Sequence, residues 1–275
     1  MTDGNDTDTH PVTRPIKDAS TVMVVRDSDR GPEVFVARRV RGMAFAGGMT
    51  VFPGGGVDAT DDDPELAWTG NAPEWWAERF GCDVPRARRL VCAAARETFE
   101  ECGVLLADHA DGSPVADAGR YHSSREELES HRVTFSRFLA DEGLSLAAGR
   151  LRPHDHWITP AVESRRYDTR FFLAALPEGQ EPDDLTTEVD LTMWARPVDL
   201  LSDFRSGRSM LLPPTWTQLR VLAEYADVTA ALAAERAITP VQPEVVEHRG
   251  GVRVRFDGSD EYWSDYQAGR PESGR

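Results

Sequence analysis

The stretch RETFEECGVLL, residues 96 to 106, crowds three carboxylates into a short segment of the chain. If the segment is helical, Glu97, Glu100 and Glu101 lie at positions i, i+3 and i+4 and project to one side. Like charges at these spacings repel each other by about 0.2–0.5 kcal/mol per pair. A cationic partner that offsets this repulsion would explain the cluster.

The residues before this stretch carry the signals of one long helix. Asp83 and Pro85 are typical of a helix start, and Gly103 is typical of a helix end. Between them, apolar and small residues recur at alternating spacings of three and four, which predicts a buried stripe. The stripe consists of Cys92, Ala95, Phe99, Cys102 and Leu106. Glu97 and Glu101 point away from it and are expected outside the core.

An oxygen-rich cluster of this kind suits a hard divalent cation. Mg²⁺ and Mn²⁺ bind carboxylates while keeping waters that phosphate oxygens can replace. A solvated acidic helix face is the alternative, and it is the commoner reason for a bare ExxEE pattern. The surrounding sequence favours the cation site.

The stretch resembles the second half of the Nudix box, G-x5-E-x7-R-E-U-x-E-E-x-G-U, in which U is aliphatic. The matching residues are Arg96, Glu97, Glu100, Glu101, Gly103 and Val104, and Thr98 departs mildly from an aliphatic position. Upstream, VFPGGGVDATD resembles the loop that opens the box, with Gly55 at its first glycine and Asp61 at its glutamate. Residues 62–95 separate Asp61 from Arg96, where the box has seven residues. The box is therefore split by an insertion, which a loop tolerates at small entropic cost.

The split box, together with RRYDTRFFLAAL, EVDLTMWARP and LLPPTW, is similar to the Nudix branch that contains the peroxisomal coenzyme A diphosphatases. This resemblance implies a hydrolase in which Glu97, Glu100 and Glu101 bind Mg²⁺ or Mn²⁺. Arg96 either orients Glu97 through a bidentate pair or neutralises the crowded helix. Glu188 is the candidate for a further metal ligand or a catalytic base, with an ordinary surface glutamate as the alternative.

The triple glycine of the loop is expected to bind substrate. Gly54, Gly55 and Gly56 let the backbone turn tightly and approach a phosphate or the metal-binding helix. A plain Pro-Gly turn is the alternative. Asp58 and Asp61 either assist the metal through water or belong to a solvated loop.

The resemblance leaves the substrate open among nucleoside diphosphates linked to another moiety. Coenzyme A or an acyl-coenzyme A, cleaved to adenosine 3′,5′-bisphosphate and 4′-phosphopantetheine, is the substrate we expect. ADP-ribose, NADH and dinucleoside polyphosphates are the alternatives. Bacterial members of the branch often carry a second arginine before the glycines, whereas Ala44 stands there in this chain.

Two groups of arginines are candidates for binding substrate phosphates in this acidic chain. They are Arg38, Arg39 and Arg41, and Arg165, Arg166 and Arg170. Arg39 and Arg166 are predicted to bind the substrate through forked hydrogen bonds. Surface charge balance is the alternative, because alternate strand residues point outward. Phe45, Trp157 and Trp194 either stack on adenine or belong to the core.

Two other classes of function are open. A Nudix-fold module that senses a nucleotide without cleaving it usually lacks box glutamates, and this chain keeps Glu97, Glu100 and Glu101. An adaptor that uses its helical insertions for protein contacts would expose an apolar patch on them.

The overall composition limits the partners and the compartment. The chain has 275 residues, of which 40% are hydrophobic, enough for one large core. Its formal net charge of -16 argues against nucleic acid and anionic membranes as partners. No apolar run approaches a membrane span, the first residues lack a secretory signal, and three cysteines suggest reduced thiols. We expect a cytoplasmic protein that is a monomer or a homodimer.

The strand and helix patterns predict an α/β (α+β) fold, an αβα sandwich with a mixed β-sheet. The predicted strands are a hairpin over residues 20–27 and 32–40, strands within residues 156–177 and 188–201, and a last β pair over residues 243–249 and 252–258. The predicted helices outside the box span residues 125–143 and 214–236. Residues 19–262 are predicted to form the Nudix domain, between a disordered tail (1–18) and a flexible tail (263–275). Insertions at about 62–88 and 107–150 are predicted to form a cap outside the core.

Overall fold

Seven strands of the described residues form the main sheet of the computed structural model, which describes residues 15–39, 48–183, 189–249 and 251–270. They are β1 (Ile16–Ser28), β2 (Gly31–Arg39), β3 (Thr50–Val51), β4 (Gly54–Gly56), β8 (Leu151–Ile158), β9 (Arg166–Ala175) and β10 (Val189–Ala195). The order is β10-β2-β1-β9-β8, with β3 paired to β2 and β4 paired to β1. β1 pairs with β9 in parallel and with β2 and β4 antiparallel, so the sheet is mixed.

Helices cover both faces of the sheet because its central strand is apolar on both sides. Along β1, Val22 and Val24 face one core, and Met23 and Val25 face the other. The first face is covered by α1 (Pro73–Phe80) and α2 (Val84–Cys102). The second face is covered by α5 (Pro197–Arg205), α6 (Pro213–Leu222), α7 (Val228–Ala233) and α8 (Ser259–Ala268). This arrangement confirms the predicted αβα sandwich.

The ends of α2 follow the signals in the sequence. The side chain of Asp83 accepts a hydrogen bond from the N–H of Arg86 over 2.7 Å and caps the start. Gly103 ends the helix in the left-handed region, with φ at 72°, and its N–H donates to the Phe99 carbonyl over 2.9 Å. The buried surface is wider than the predicted stripe, because Ala93 is buried as well.

The two insertions belong to the core, which corrects the prediction of a cap outside it. Trp76 of the first insertion packs on Phe172 of the main sheet, with ring centroids 5.7 Å apart. Phe138 of the second insertion stacks on Phe99 of α2 at 5.5 Å. A three-stranded sheet joins the insertions: β7 (Ser145–Ala147) lies between β5 (Trp68–Thr69) and β6 (Ala107–Asp108). The large aromatic residues of the insertions cover the faces of α2 that the main sheet leaves open.

Two predicted helices are each divided in the structure. The helix expected over 125–143 is α3 (His122–Glu129) followed by α4 (Phe135–Asp141), and His131 between them has a positive φ of 54°. Thr134 then caps α4 by accepting from the N–H of Arg137 over 3.2 Å. The helix expected over 214–236 is α6 and α7, and Asp227 caps the second. In both places a capping side chain begins a new helix inside an apolar pattern that looks continuous.

Both predicted tail boundaries differ from the structure. β1 begins at Ile16, so residues 16–18 pair with β9 and are not part of a tail; residues 1–14 lie outside the described residues. α8 crosses the boundary at 262, and its Trp263 packs against the second core. The last β pair forms as expected, as β11 (Glu244–His248) and β12 (Gly251–Arg255). Among the described residues, none of the helices combines the length and apolarity that a membrane crossing requires.

Candidate active site

The glycine loop reaches α2 through β4, which pairs with the first half of β1. The N–H of Gly54 donates to Glu101 Oε2 over 2.8 Å. A Cβ on Gly54 would overlap the backbone of β1, and a Cβ on Gly55 would come within 2.5 Å of Glu97 Oε2. Gly56 has open space around it, and its carbonyl accepts from Arg96. The structure therefore brings the predicted glycines and glutamates together.

Arg96 is buried at the centre of this arrangement, with Asp61 as its bidentate partner. Its Nε and Nη2 donate to the two carboxylate oxygens of Asp61 at 2.8 and 3.0 Å. Its Nη1 lies between Glu97 Oε1 at 2.8 Å and Glu100 Oε2 at 3.0 Å. The expected bidentate pair with Glu97 is thus wrong, because the fork of the guanidinium is taken by Asp61.

Asp61 is the residue whose role sequence reasoning missed. It is 1% exposed, which excludes the solvated loop offered as its alternative. A short 3₁₀ turn over residues 59–61 fixes it, since the N–H of Asp58 donates to Asp61 Oδ2 over 2.8 Å. The N–H of Thr60 donates to Asp58 Oδ1 over 2.8 Å, and this bond lowers the pKa of Asp58. Its role could have been inferred from its position in the sequence, where the Nudix box has its glutamate.

The carboxylates on α2 carry more negative charge than Arg96 offsets. The side chains of Glu97 and Glu100 are both 13% exposed. Burial raises the pKa of Glu97 to about 7; Arg96 opposes this shift and the charge of Glu100 adds to it. Burial also raises the pKa of Glu100. Three carboxylates, those of Asp61, Glu97 and Glu100, contact one guanidinium, so the site favours an additional cation.

The donor set fits a divalent cation in chemistry and charge. All of the groups are carboxylate oxygens, which Mg²⁺ and Mn²⁺ prefer. In the described part of the chain, no three carboxylate, imidazole or thiolate groups converge closely enough to hold a metal ion as they stand. Nudix hydrolases generally use divalent metals, and ligation by Glu97, Glu100 and Glu101 stays a prediction.

The predicted substrate arginines lie away from the glutamates or outside the described residues. Arg166 is opposite Ile16 in β1, whereas Gly56 is opposite Ala19, roughly 10 Å further along the strand. Its Nη2 donates to the Thr159 carbonyl over 3.2 Å. The side chain of Arg39, at the end of β2, lies outside the described residues.

Three further candidates from the sequence have structural roles or cannot be assigned. Arg170 is 1% exposed and paired with Asp168, so it is unavailable to a substrate phosphate. Glu188 and Arg41 lie outside the described residues.

Two of the three aromatic residues proposed to stack on adenine are packed within the protein. Trp157 is 4% exposed, and its Nε1 donates to Asp155 over 2.8 Å. Trp194 meets Phe35 edge to face at 5.5 Å, and the guanidinium of Arg26 lies 4.3 Å from its ring. Phe45, the third candidate, lies outside the described residues.

Comparison with a solved structure defines the class of protein. The crystal structure of a Nudix hydrolase from Alicyclobacillus acidocaldarius matches this fold with a TM-score of 0.66 and 27% sequence identity. The match covers 81% of this chain and 98% of that chain. Together with the glycine loop and the carboxylate helix, this match shows that the chain is a Nudix hydrolase, an enzyme that hydrolyses diphosphate bonds.

The family within that class follows from the sequence comparison. The model of the NUDT19 Nudix domain matches residues 77–222, more than half of the 275 residues, and the chain belongs to this family. The acyl-coenzyme A diphosphatase NUDT19 of Xenopus laevis is 24% identical over 273 residues, covering 85% of this chain and 72% of its own length. The human protein of the same name is 26% identical over 236 residues, covering 72% of this chain and 62% of its own length.

Proposed function

We propose that this enzyme hydrolyses the diphosphate of coenzyme A or an acyl-coenzyme A. The products are adenosine 3′,5′-bisphosphate and 4′-phosphopantetheine or its acylated form. The observation that carries the proposal is the similarity over 85% of the chain to a relative named as an acyl-coenzyme A diphosphatase. The split box and the carboxylate helix support the same reaction.

We further propose that Glu97, Glu100 and Glu101 hold Mg²⁺ or Mn²⁺. A bound divalent cation supplies charge neutralisation of the diphosphate and an acidified water. Arg96 sets the positions of Glu97 and Glu100 through Nη1, and the N–H of Gly54 orients Glu101. Glu188 remains our candidate for a further ligand or the base that accepts the proton of the attacking water.

The glycine loop is proposed to admit the diphosphate. Because Gly55 has no side chain, the backbone lies directly over the Glu97 carboxylate. The missing side chain would leave room for a substrate phosphate beside the loop, near the carboxylates that would hold the cation. Gly54 and Gly56 flank this point on the same short strand.

The 3′-phosphate of coenzyme A is proposed to be recognised by Arg39 and Arg166. That phosphate is on the ribose, away from the anhydride that is cleaved, so its ligands need not touch the metal site. Arg166 lies on β9 of the main sheet, opposite Ile16 of β1. A charge-assisted contact of this kind contributes about 1.5–3 kcal/mol.

The compartment and the assembly are also proposals. The thiols of Cys82, Cys92 and Cys102 are free, and two of them are buried, which agrees with a reducing environment. We place the enzyme in the cytoplasm as a monomer or homodimer.

A product analysis tests the proposed function. The protein is incubated with EDTA, Mg²⁺ or Mn²⁺ and with coenzyme A, an acyl-coenzyme A, dephospho-coenzyme A, ADP-ribose, NADH or a dinucleoside polyphosphate. Mass spectrometry identifies the fragments. We expect hydrolysis with either metal, none with EDTA, and a kcat/KM for coenzyme A roughly ten- to hundred-fold above that for dephospho-coenzyme A.

Each of the following results would reject a different part of the proposal. Equal kcat/KM values for coenzyme A and dephospho-coenzyme A would remove the role of the arginines. A preference for ADP-ribose, NADH or a dinucleoside polyphosphate would establish the alternative substrate class. Tight nucleotide binding without hydrolysis would instead identify a sensing module.

A further inference from the structure

Arg125 belongs to α3 in the second insertion, yet its side chain is buried at the end of α2. Only 3% of the side chain is exposed. Its Nε donates to the backbone carbonyl of Glu100 over 3.0 Å. Its Nη1 donates to both carboxylate oxygens of Asp183, at 2.7 and 2.8 Å. Because a guanidinium is rigid and planar, two fixed partners also fix its orientation.

A segment formed by residues 177–183, called the strap below, lies across the same end of α2. Gln180 exchanges two hydrogen bonds with the backbone of Leu105, at 2.8 and 2.9 Å. The N–H of Asp183 donates to the Cys102 carbonyl over 3.0 Å. These hydrogen bonds hold the strap next to α2 independently of its ion pair with Arg125.

These contacts complete the last turn of the helix that carries the glutamates. The final carbonyls of a helix have no partner within it. In α2, the carbonyl of Glu100 is satisfied by Arg125, and that of Cys102 is satisfied by Asp183. Glu100 is thus held from two sides, since its carboxylate also accepts from Arg96 over 3.0 Å.

The charge of Arg125 is matched by its own neighbours. Asp183 forms the ion pair described above, and Glu129 Oε1 lies 3.3 Å from Nε. Arg125 therefore acts on Glu100 through geometry and not as an additional counterion for its carboxylate. A lysine would keep the charge, but its single ammonium cannot copy the fork between the carbonyl and the carboxylate.

We propose that Arg125 is a positioning residue of the hydrolase. It fixes the last turn of α2 against the strap, and thereby the carboxylates of Glu100 and Glu101. The second insertion contributes in this way to the geometry of the site. The inference rests on the proposed function where it is tested by kcat and KM. The affinity for Mn²⁺ tests it independently of turnover.

The test compares Arg125→Lys and Asp183→Asn with a matched control in the same insertion. Arg137→Lys is the control, because Arg137 is 69% exposed and pairs with Asp141 at 2.7 Å on α4. For each protein, the folded fraction is measured by circular dichroism, kcat and KM by product formation, and Mn²⁺ affinity by electron paramagnetic resonance of the free ion.

We expect Arg125→Lys to lower kcat per folded molecule by roughly ten- to hundred-fold, with KM changed by less than about twofold. Its Mn²⁺ affinity should fall by about tenfold, as for other residues that orient metal ligands. Asp183→Asn should shift both quantities in the same direction by a smaller factor. Arg137→Lys should match the wild type in both.

The outcomes separate this inference from the proposed function. Wild-type kcat per folded molecule and wild-type Mn²⁺ affinity in Arg125→Lys and Asp183→Asn would overturn the positioning role, even if both variants are less stable. If Arg125→Lys does not fold, Asp183→Asn decides alone, because its side chain is 36% exposed and its shape is unchanged. A wild type that cleaves no diphosphate would overturn the proposed function, while the Mn²⁺ titration would still test Arg125.

Discussion

Two ionic clusters lie along the same helix, one partly buried and one buried, and they differ in how their charges balance. Near the start of α2, Arg86 Nη2 lies 2.5 Å from Asp18 and 2.9 Å from Asp168. Asp168 also contacts Arg170 and, at 2.6 Å, His156. Two carboxylates there meet two guanidinium groups. Ten residues further along the helix, one guanidinium meets three carboxylates.

The pKa values of the two clusters shift in opposite directions. Burial would raise the pKa of Asp168, but the hydrogen bond from His156 and the charges of Arg170 and Arg86 hold it well below its ordinary value. In the second cluster burial prevails, and the pKa of Glu97 rises to about 7. A balanced cluster is typical of structural support, whereas buried carboxylates with raised pKa values are typical of functional sites.

Replacing a glutamate of the unbalanced cluster should have the largest effect. Glu100→Gln is expected to lower kcat by roughly three orders of magnitude, because several kcal/mol of charge stabilisation depend on the bound cation. The change in kcat is measured from product formation with coenzyme A and Mg²⁺. Asp168→Asn is the control from the balanced cluster and should leave kcat per folded molecule near the wild-type value. A Glu100→Gln enzyme with the wild-type rate would remove the metal assignment.

Breaking the fork between Asp61 and Arg96 should be the next largest effect. Asp61→Asn leaves a buried guanidinium without its bidentate partner, which costs about 3–5 kcal/mol of unfolding free energy. Asp61→Glu restores the residue of the box and should cost less. Urea unfolding measures the loss of unfolding free energy in both variants. Asp62→Asn is the matched control, because the pair of Asp62 with Arg89 is exposed and contributes about 0–1 kcal/mol. Equal losses in Asp61→Asn and Asp62→Asn would contradict the role of the fork.

Adding one methyl group to the glycine loop should have an intermediate effect. In Gly55→Ala the new Cβ meets the Glu97 carboxylate, so the loop or the glutamate must move. A displacement of this kind is expected to lower kcat/KM roughly ten- to hundred-fold. In Gly56→Ala the new Cβ has no atom within 4 Å, so kcat/KM should fall clearly less. If Gly56→Ala were the more damaging substitution, the loop would contact the substrate differently from our proposal.

The smallest expected effect is a pH dependence of stability in the metal-free protein. The folded pKa of Glu97, about 7, exceeds its ordinary value of 4.5, so the folded state binds the additional proton between these limits. Stability from this group is full below pH 4.5 and is lost as the pH rises to 7. Glu97→Gln should therefore be more stable than the wild type by about 1–3 kcal/mol at pH 8 and by little at pH 4.5.

Urea unfolding in EDTA at the two pH values measures this difference. Asp168 has a lowered pKa, so its contribution is present above 3.8 and is lost only at lower pH. His154, whose pKa is lowered to about 3 by burial, destabilises the fold as the pH falls below 6.5. Both groups are present in wild type and variant, so they cancel in the comparison. A stability difference that is independent of pH would refute the raised pKa of Glu97.

The sequence predicted α2, the helix of the box glutamates, well because its signals are local. Asp83 and Gly103 mark the ends by hydrogen bonds within a few residues, Pro85 fits the first turn, and the box fixes the order of the glutamates. The packing of the insertions was not predictable in this way. The stacking of Phe138 on Phe99 joins residues 39 positions apart, and helical periodicity carries no information about such partners.

Arg170 failed as a substrate candidate for a similar reason. Arg170 and Asp168 lie two residues apart on one strand, so they share a face of the sheet and can pair there. The sequence does not show which face of that strand is covered. Only the helix and loop packed against β9 determine that Arg170 is enclosed.

The small sheet between the insertions has a consequence for the evolution of this chain. β7 hydrogen-bonds to β6 of its own insertion and to β5 of the first insertion, so the second insertion supplies the strand partner of the first. A lineage that lost residues 107–150 would leave β5 as an open edge and uncover the aromatic residues beside it. The first insertion is therefore expected to be kept only in descendants of this enzyme that also keep the second.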